Sequence, residues 1–281
     1  MWYFDYSSTS SIKFVLAENN LKMTKKRGQN FLIDNNVRRK ITDIVLKDLP
    51  SDASLWEIGP GLGSITSILL KSGHNLSAFE LDFGFIEILE NAFKDERNFS
   101  LISGDALITV RDMWDKTKVK PYVILGNLPY NVGTVLIAKM LENEIFPERM
   151  VFTLQKEVAE RMVSKTGDED WGSLSALTSL TYERRVAFDI SSVSFWPSPN
   201  IKSAVVVLEK LKNNSFDYSK YTNFLKVNRA IFSQKRKTIK NNLLLVFDER
   251  TEAILKECKI NPSIRPNLIT LEEIIKLCDF L

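Results

Sequence analysis

The sequence predicts an α/β protein: a parallel, doubly wound sheet followed by a small all-α domain. Two observations carry this. Short β-rich runs recur at 54–58, 76–80, 99–102, 122–126, 150–154 and 204–208. Between several of them apolar residues repeat at helical spacing, as in Ile65, Ile68 and Leu69 and again in Phe85, Ile88 and Leu89. Strands that alternate with helices make parallel sheets with crossover helices.

The first element is SLWEI (54–58), which runs into a glycine loop and an amphipathic stretch. LSAFE, FSLI, YVILG and MVFTL repeat the pattern, and VAERMV (158–163) continues the alternation before AVVVL (204–208). After Glu209 the pattern changes. KNNSFDYSKY (212–221) is polar and turn-rich, and the chain beyond reads as helices at 222–233, 235–246, 250–258 and 271–280. Pro262 and Pro266 lie in the loop before the last of these. The expected domains are therefore 1–211, with 1–24 an unassigned N-terminal extension, and 212–281.

The bulk numbers narrow the chemistry. A length of 281 residues suits one large domain and one small one. No run approaches the roughly 20 apolar residues of a membrane helix. MWYFDYSSTS has neither the basic start nor the apolar core of a signal peptide. With isolated Cys258 and Cys278 this points to the reducing cytoplasm. A single histidine, His74, leaves little room for Ser-His-Asp hydrolysis or a His-rich metal site, and no metal is expected. From residue 210 onward there are 14 Lys and Arg against 8 Asp and Glu, a net +6, leaving 24 against 27, or −3, for the rest. A basic tail on a faintly acidic body suits a polyanionic partner.

Three successive strands end in G, E and D. Gly59-Pro60-Gly61-Leu62-Gly63 follows the first strand, where glycines permit a sharp turn and close approach of a ligand, and helix N–H groups favour an anion. Glu80 closes the second strand, about twenty residues on, where a carboxylate can accept both hydroxyls of a ribose. Asp105 closes the third and can accept from an adenine amino group. A phosphate loop needs a Lys-Ser/Thr pair that Gly63-Ser64-Ile65 lacks. A dinucleotide stays open; S-adenosyl-L-methionine, an adenosine without phosphates, suits these acids better.

The fourth strand ends in Asn127-Leu128-Pro129-Tyr130. An adenine N6 amine is a poor nucleophile because its lone pair is delocalised into the ring. Acceptors on both of its N–H bonds favour a pyramidal nitrogen and stabilise the charge that grows on it. The Asn127 side-chain oxygen and the Leu128 carbonyl supply two, and Pro129 holds Leu128 extended. Tyr130 offers a face for the base, worth about 1–3 kcal/mol. No general base is required.

Taken together, these residues resemble the ribosomal RNA adenine dimethyltransferases of the KsgA/RsmA type. RGQNFLID (27–34), LQKEVAERMV (154–163), WGSLS (171–175), SFWPSPNIKSAVVVL (194–208) and FSQKRKTIKNNL (232–243) agree in order, from about residue 25 to the C-terminus. The resemblance implies a Rossmann-like methyltransferase domain and a helical RNA-binding domain. It also implies dimethylation at N6 of two adjacent adenosines in the 3′-terminal hairpin of small-subunit (16S) rRNA, within an assembling subunit, and a role in subunit maturation. Carried over by position, the cofactor contacts are Asn30, Leu32, Gly59, Gly61, Glu80, Asp105 and Asn127. Phe195 becomes the aromatic against a flipped base, opposite Tyr130. Independently of the resemblance, the basic run Lys235, Arg236, Lys237 and Lys240, with Arg229 a helical spacing before it in a net basic domain, reads as RNA phosphate contacts, and the protein is expected to be monomeric. Arg27, Gly84 and Gly133 depart from the family pattern. An Erm-type enzyme on large-subunit RNA, a DNA adenine methyltransferase and a non-enzymatic assembly factor are the rival readings.

Overall fold

The apolar runs become strands and the periodic segments helices in a computed structural model that describes residues 4–21, 30–129 and 132–281. In chain order the elements begin with α1 (Thr9–Glu18), β1 (Phe31–Leu32), α2 (Asn35–Leu46), β2 (Ser54–Ile58) and α3 (Thr66–Leu69). They continue with β3 (Asn75–Glu80), α4 (Phe83–Phe93), β4 (Phe99–Ser103), α5 (Ala106–Lys116), β5 (Val123–Asn127) and α6 (Gly133–Glu142). Then come β6 (Arg149–Gln155), α7 (Lys156–Val163), α8 (Ser173–Thr181), β7 (Tyr182–Ile190), β8 (Phe195–Trp196) and β9 (Ser203–Lys210). The chain closes with α9 (Tyr221–Ile231), α10 (Ile239–Phe247), α11 (Thr251–Glu257) and α12 (Leu271–Leu277).

Seven strands form one sheet in the order β4-β3-β2-β5-β6-β9-β7. The first five pair in parallel, and β9 runs antiparallel to β6. Strands β2, β5 and β6 are buried along almost their whole length, as continuous apolar runs require when helices cover both faces. Aspartates start three of the helices: Asp34, Asp82 and Asp105 each accept from N–H groups in the first turns of α2, α4 and α5. Arg149 on β6 donates to the carbonyls of Ile44 and Lys47 at the far end of α2, at 3.1 and 2.7 Å.

The chain divides into two compact units, one holding residues up to Ala159 with Arg185–Glu209, the other Glu160–Arg184 with Lys210–Leu281. The second takes in WGSLS because polar anchors tie it there. The Trp171 indole donates to the Ile269 carbonyl at 3.0 Å, and buried Asn228 donates to the Ser173 carbonyl at 3.1 Å. Phe224, Val227, Ile231, Leu243, Phe247, Ile274 and Leu277 form its apolar centre. The helix expected over 235–246 begins instead at Ile239, because Thr238 caps it, accepting from Asn241 N–H. Lys235, Arg236 and Lys237 therefore stand in the turn before α10. Among the described residues, no helix is long and apolar enough to cross a membrane.

Candidate active site

Strand β2 is flanked by β3 on one side and β5 on the other, so the strand order reverses there. Such a switch point opens a crevice at the carboxyl ends of the strands. Ile58 lies opposite both Phe79 and Gly126, Glu80 opposite Ser103, and Asn127 opposite Thr153. Gly59, Glu80, Asp105 and Asn127 thus share one edge of the sheet.

The glycine loop holds Gly59, Gly61 and Gly63 at φ of 68, 58 and 84°, where side chains are strained. The helix expected to follow it is short. Turns occupy residues 61–65, and α3 covers only four residues before a single tighter turn, Leu70–Ser72. Its N-terminus is therefore no anion site, and the Gly61 N–H is aimed at a side chain instead. That side chain is Glu80. Its Oε2 accepts from Gly61 N–H at 3.2 Å, and its Oε1 from Leu81 and Asp82 N–H at 2.9 Å each. Burial pushes the Glu80 carboxyl above its ordinary range, and the three N–H groups oppose that shift.

Asp105 acts as the cap of α5, with Oδ1 accepting from Leu107 N–H at 2.9 Å. Leu81 and Ile108, beside these two acids, are 63% and 59% exposed. Sequence reasoning passed over both, although an exposed apolar residue one position after Glu80 and three after Asp105 could serve as a wall for a flat base.

Asn127 donates through Nδ2 to the Asn30 carbonyl at 3.1 Å. This contact uses one Nδ2 hydrogen and fixes which way the amide points, with Oδ1 on the opposite side as an acceptor for a ligand. Leu128 is buried, and the Pro129 carbonyl accepts from Val132 and Gly133 N–H to begin α6. A Cβ on Gly133 would meet Leu154 at 2.9 Å and Leu128 at 3.1 Å, which accounts for glycine there. Tyr130 lies outside the described residues.

The Asn30 segment is held by a distant motif. Ser194 Oγ donates to Asp34 Oδ2 at 3.0 Å, and β1 pairs with β8 so that Leu32 faces Phe195 and Phe31 faces Trp196. Strand alternation then decides exposure. Leu32 and Phe195, 1% and 3% exposed, sit in the main core, so neither the expected cofactor contact nor the expected base-facing ring is presented by its side chain here. Phe31 and Trp196 stack on the other face, 6.3 Å apart and 14° from parallel, against the cluster that contains Leu62 of the glycine loop.

Glu57 went unnoticed in the sequence, though a carboxylate within a continuous apolar strand is itself a signal. It is fully buried beneath the loop, accepts from Thr66 Oγ1 at 2.6 Å, and burial pushes its carboxyl up to about 7. Among the described residues, no group of three or more His, Cys, Asp and Glu is placed to hold a metal.

On the second unit, Lys235, Arg236 and Lys237 are exposed and with Gln234 line a surface cavity of about 550 Å³. Arg229 is exposed on α9. Lys240 pairs with Glu252.

A glycine loop answered by an acid on the next strand, at the switch point of a parallel sheet with an antiparallel margin, defines an α/β methyltransferase-type fold. A model of the ribosomal RNA adenine dimethylase family matches residues 20–281, and the chain belongs to that family. It is thus an rRNA adenine dimethyltransferase by family. It is 36% identical to the ribosomal RNA small subunit methyltransferase A of Treponema denticola, over 99% of this chain and 96% of that one. The protein of that name from Geobacillus is 34% identical over 99% and 98%. In structure it resembles a dimethyladenosine transferase from Plasmodium falciparum, with TM-score 0.69 and 21% identity over 87% of this chain and 94% of that one. It also resembles the 23S rRNA methyltransferase ErmE, with TM-score 0.66 and 21% identity over 89% and 98%. These two likenesses concern the fold.

Glu80→Gln is expected to weaken S-adenosyl-L-methionine binding by about 1.5–3 kcal/mol in calorimetry, the scale of a hydrogen bond to a charged group. Unchanged affinity would remove Glu80 from the site. Glu57 predicts a pH effect. Its folded value of about 7 lies above the ordinary 4.5, so its stabilising contribution is whole below pH 4.5 and is lost as pH rises through 7. Glu57→Gln should remove a decline on the order of 3 kcal/mol in unfolding free energy across that window. An equally steep decline in the variant would contradict this assignment.

Proposed function

We propose that this chain transfers methyl groups from S-adenosyl-L-methionine to N6 of two adjacent adenosines in the 3′-terminal hairpin of small-subunit rRNA, two to each, and contributes to small-subunit maturation. The observation that carries this is the Asn127 amide, anchored through Nδ2 on the Asn30 carbonyl at the sheet edge that also holds Glu80. An amide so fixed offers an acceptor, which is what an aromatic amine needs to become nucleophilic.

The residues fit the cofactor. The loop is bare of side chains at its three glycines, and a buried carboxylate stands at the end of β3 for a pair of hydroxyls. Leu81 and Ile108 are open to a base. A dinucleotide fits less well, because an anion at Gly61 would meet the Glu80 carboxylate. When bound, the cofactor supplies an electrophilic methyl group. The chain does the rest: Asn127 Oδ1 and the Leu128 carbonyl accept from the target amine and stabilise its growing charge. The base must leave its stack to reach them, and Tyr130 with Trp196 is the aromatic pair proposed to receive it. Phe195, buried in the core, is proposed to fix where β8 holds the Trp196 ring.

The turn Lys235–Lys237, with Arg229 and Lys240, is proposed to hold RNA phosphates, so binding should weaken with salt. The relatives named as small-subunit methyltransferases favour that RNA over large-subunit RNA. The enzyme is proposed to act as a cytoplasmic monomer.

The deciding experiment incubates unmethylated small and large subunits with the protein and labelled cofactor, then maps both RNAs by mass spectrometry. The expected product is N6,N6-dimethyladenosine at two neighbouring positions of the small-subunit hairpin. Label in large-subunit RNA, or none in either, would overturn the proposal.

A further inference from the structure

Helix α1 has no task in the reading above, yet it is packed onto the cofactor side of the site. Its inner face, Ile12, Val15 and Leu16, is 1, 7 and 5% exposed. With Tyr6 it packs against Leu62 of the glycine loop and Phe85 and Ile88 of α4. Phe31, Trp196 and Leu21 pack against the same cluster.

Polar contacts follow the same route. Lys13 Nζ stands 5.7 Å from the Trp196 ring centre. The Arg38 guanidinium lies 5.3 Å over the Tyr6 ring, while its Nη1 donates to the Ser64 carbonyl, just past the glycine loop, at 3.4 Å.

Leu21 makes the closest approach. Its N–H closes the end of α1 on the Leu16 carbonyl at 2.8 Å. A Cβ built on Gly84 would lie 2.1 Å from its Cδ2 and 2.9 Å from its Cγ. Gly84 belongs to the first turn of α4, directly after the Leu81-Asp82 turn that Glu80 holds. Alanine would suit that helix better than glycine. The unusual glycine and the N-terminal extension therefore explain each other: one leaves the space that the other fills.

We propose that α1 and Leu21 form a strap that keeps the cofactor side of the active site assembled, acting through Leu62, Gly84 and Phe31. Its residues are positioning residues; they lower the cost of ordering the loop and the β3–α4 turn when cofactor binds. This rests on the methyltransferase reading of the site.

Two full-length variants test it. Ile12→Ser/Leu16→Ser loosens the inner face of α1, and Gly84→Ala drives into Leu21. Each should weaken S-adenosyl-L-methionine binding by about tenfold in calorimetry, with a matching rise in cofactor KM. The kcat at saturating cofactor and the affinity for RNA should stay unchanged. Adding Leu21→Ala to Gly84→Ala should restore cofactor affinity in part, because the methyl group added at position 84 takes up some of the space that the shortened side chain leaves. Should the first variant not fold, the Gly84–Leu21 pair decides alone.

Unchanged cofactor affinity in Gly84→Ala, a loss shared equally by RNA binding, or failure of Leu21→Ala to rescue would overturn the strap. If the unaltered chain itself does not bind S-adenosyl-L-methionine, the underlying reading of the site falls instead.

Discussion

The site is organised around one buried carboxylate. Glu80, at the end of β3, is removed from water and takes three backbone N–H groups in compensation, from Gly61, Leu81 and Asp82. A carboxylate cannot remain charged in such a place without donors. The glycine loop must bring Gly61 within reach, and it does so through left-handed turns that only glycine adopts readily. The Leu81-Asp82 turn must close on the same group, and this sets Asp82 to cap α4. The geometry of two crossover connections follows from one ion's need for hydrogen bonds.

A second set of links joins parts of the chain that lie far apart in sequence. Asn127 reaches the Asn30 carbonyl, and Asp34 accepts from Ser194. Strands β1 and β8 are two residues each, too short to be stable alone, and they persist because these contacts fasten both ends. The segment that orients the Asn127 amide is thereby built from both ends of the α/β unit. Helix α1 closes over this junction and gives the aromatic pair Phe31 and Trp196 a further layer of packing.

Much of this was legible in the residues. Six strands read from apolar runs lie within a few residues of their places, and β2, β5, β6 and β9 were the plainest because strands buried along most of their length leave a continuous signature. The places of Gly59, Glu80, Asp105 and Asn127 at strand ends could be read from chain order alone. What could not be read depended on partners. Strand β7, YERRVAFDI, was missed because its charged residues and half-exposed pattern carry no apolar run. The start of α10 was misplaced because a capping threonine, rather than the charge run before it, sets the boundary. Phe195 was read as facing a ligand, but its burial is decided by pairing with Leu32 across β1. Glu57 was passed over inside a strand, and Gly84 looked like an arbitrary departure until Leu21 was found beside it.

The Asn127 acceptor is proposed to make the adenine amine reactive. Single-turnover methyl transfer by Asn127→Ala, with RNA affinity measured alongside, tests it most directly. The rate should fall by about 10²–10³, the cost of removing one preorganised hydrogen-bond partner from a developing charge, while RNA binding is retained. A rate near that of the unaltered protein, with RNA bound equally well, would contradict it.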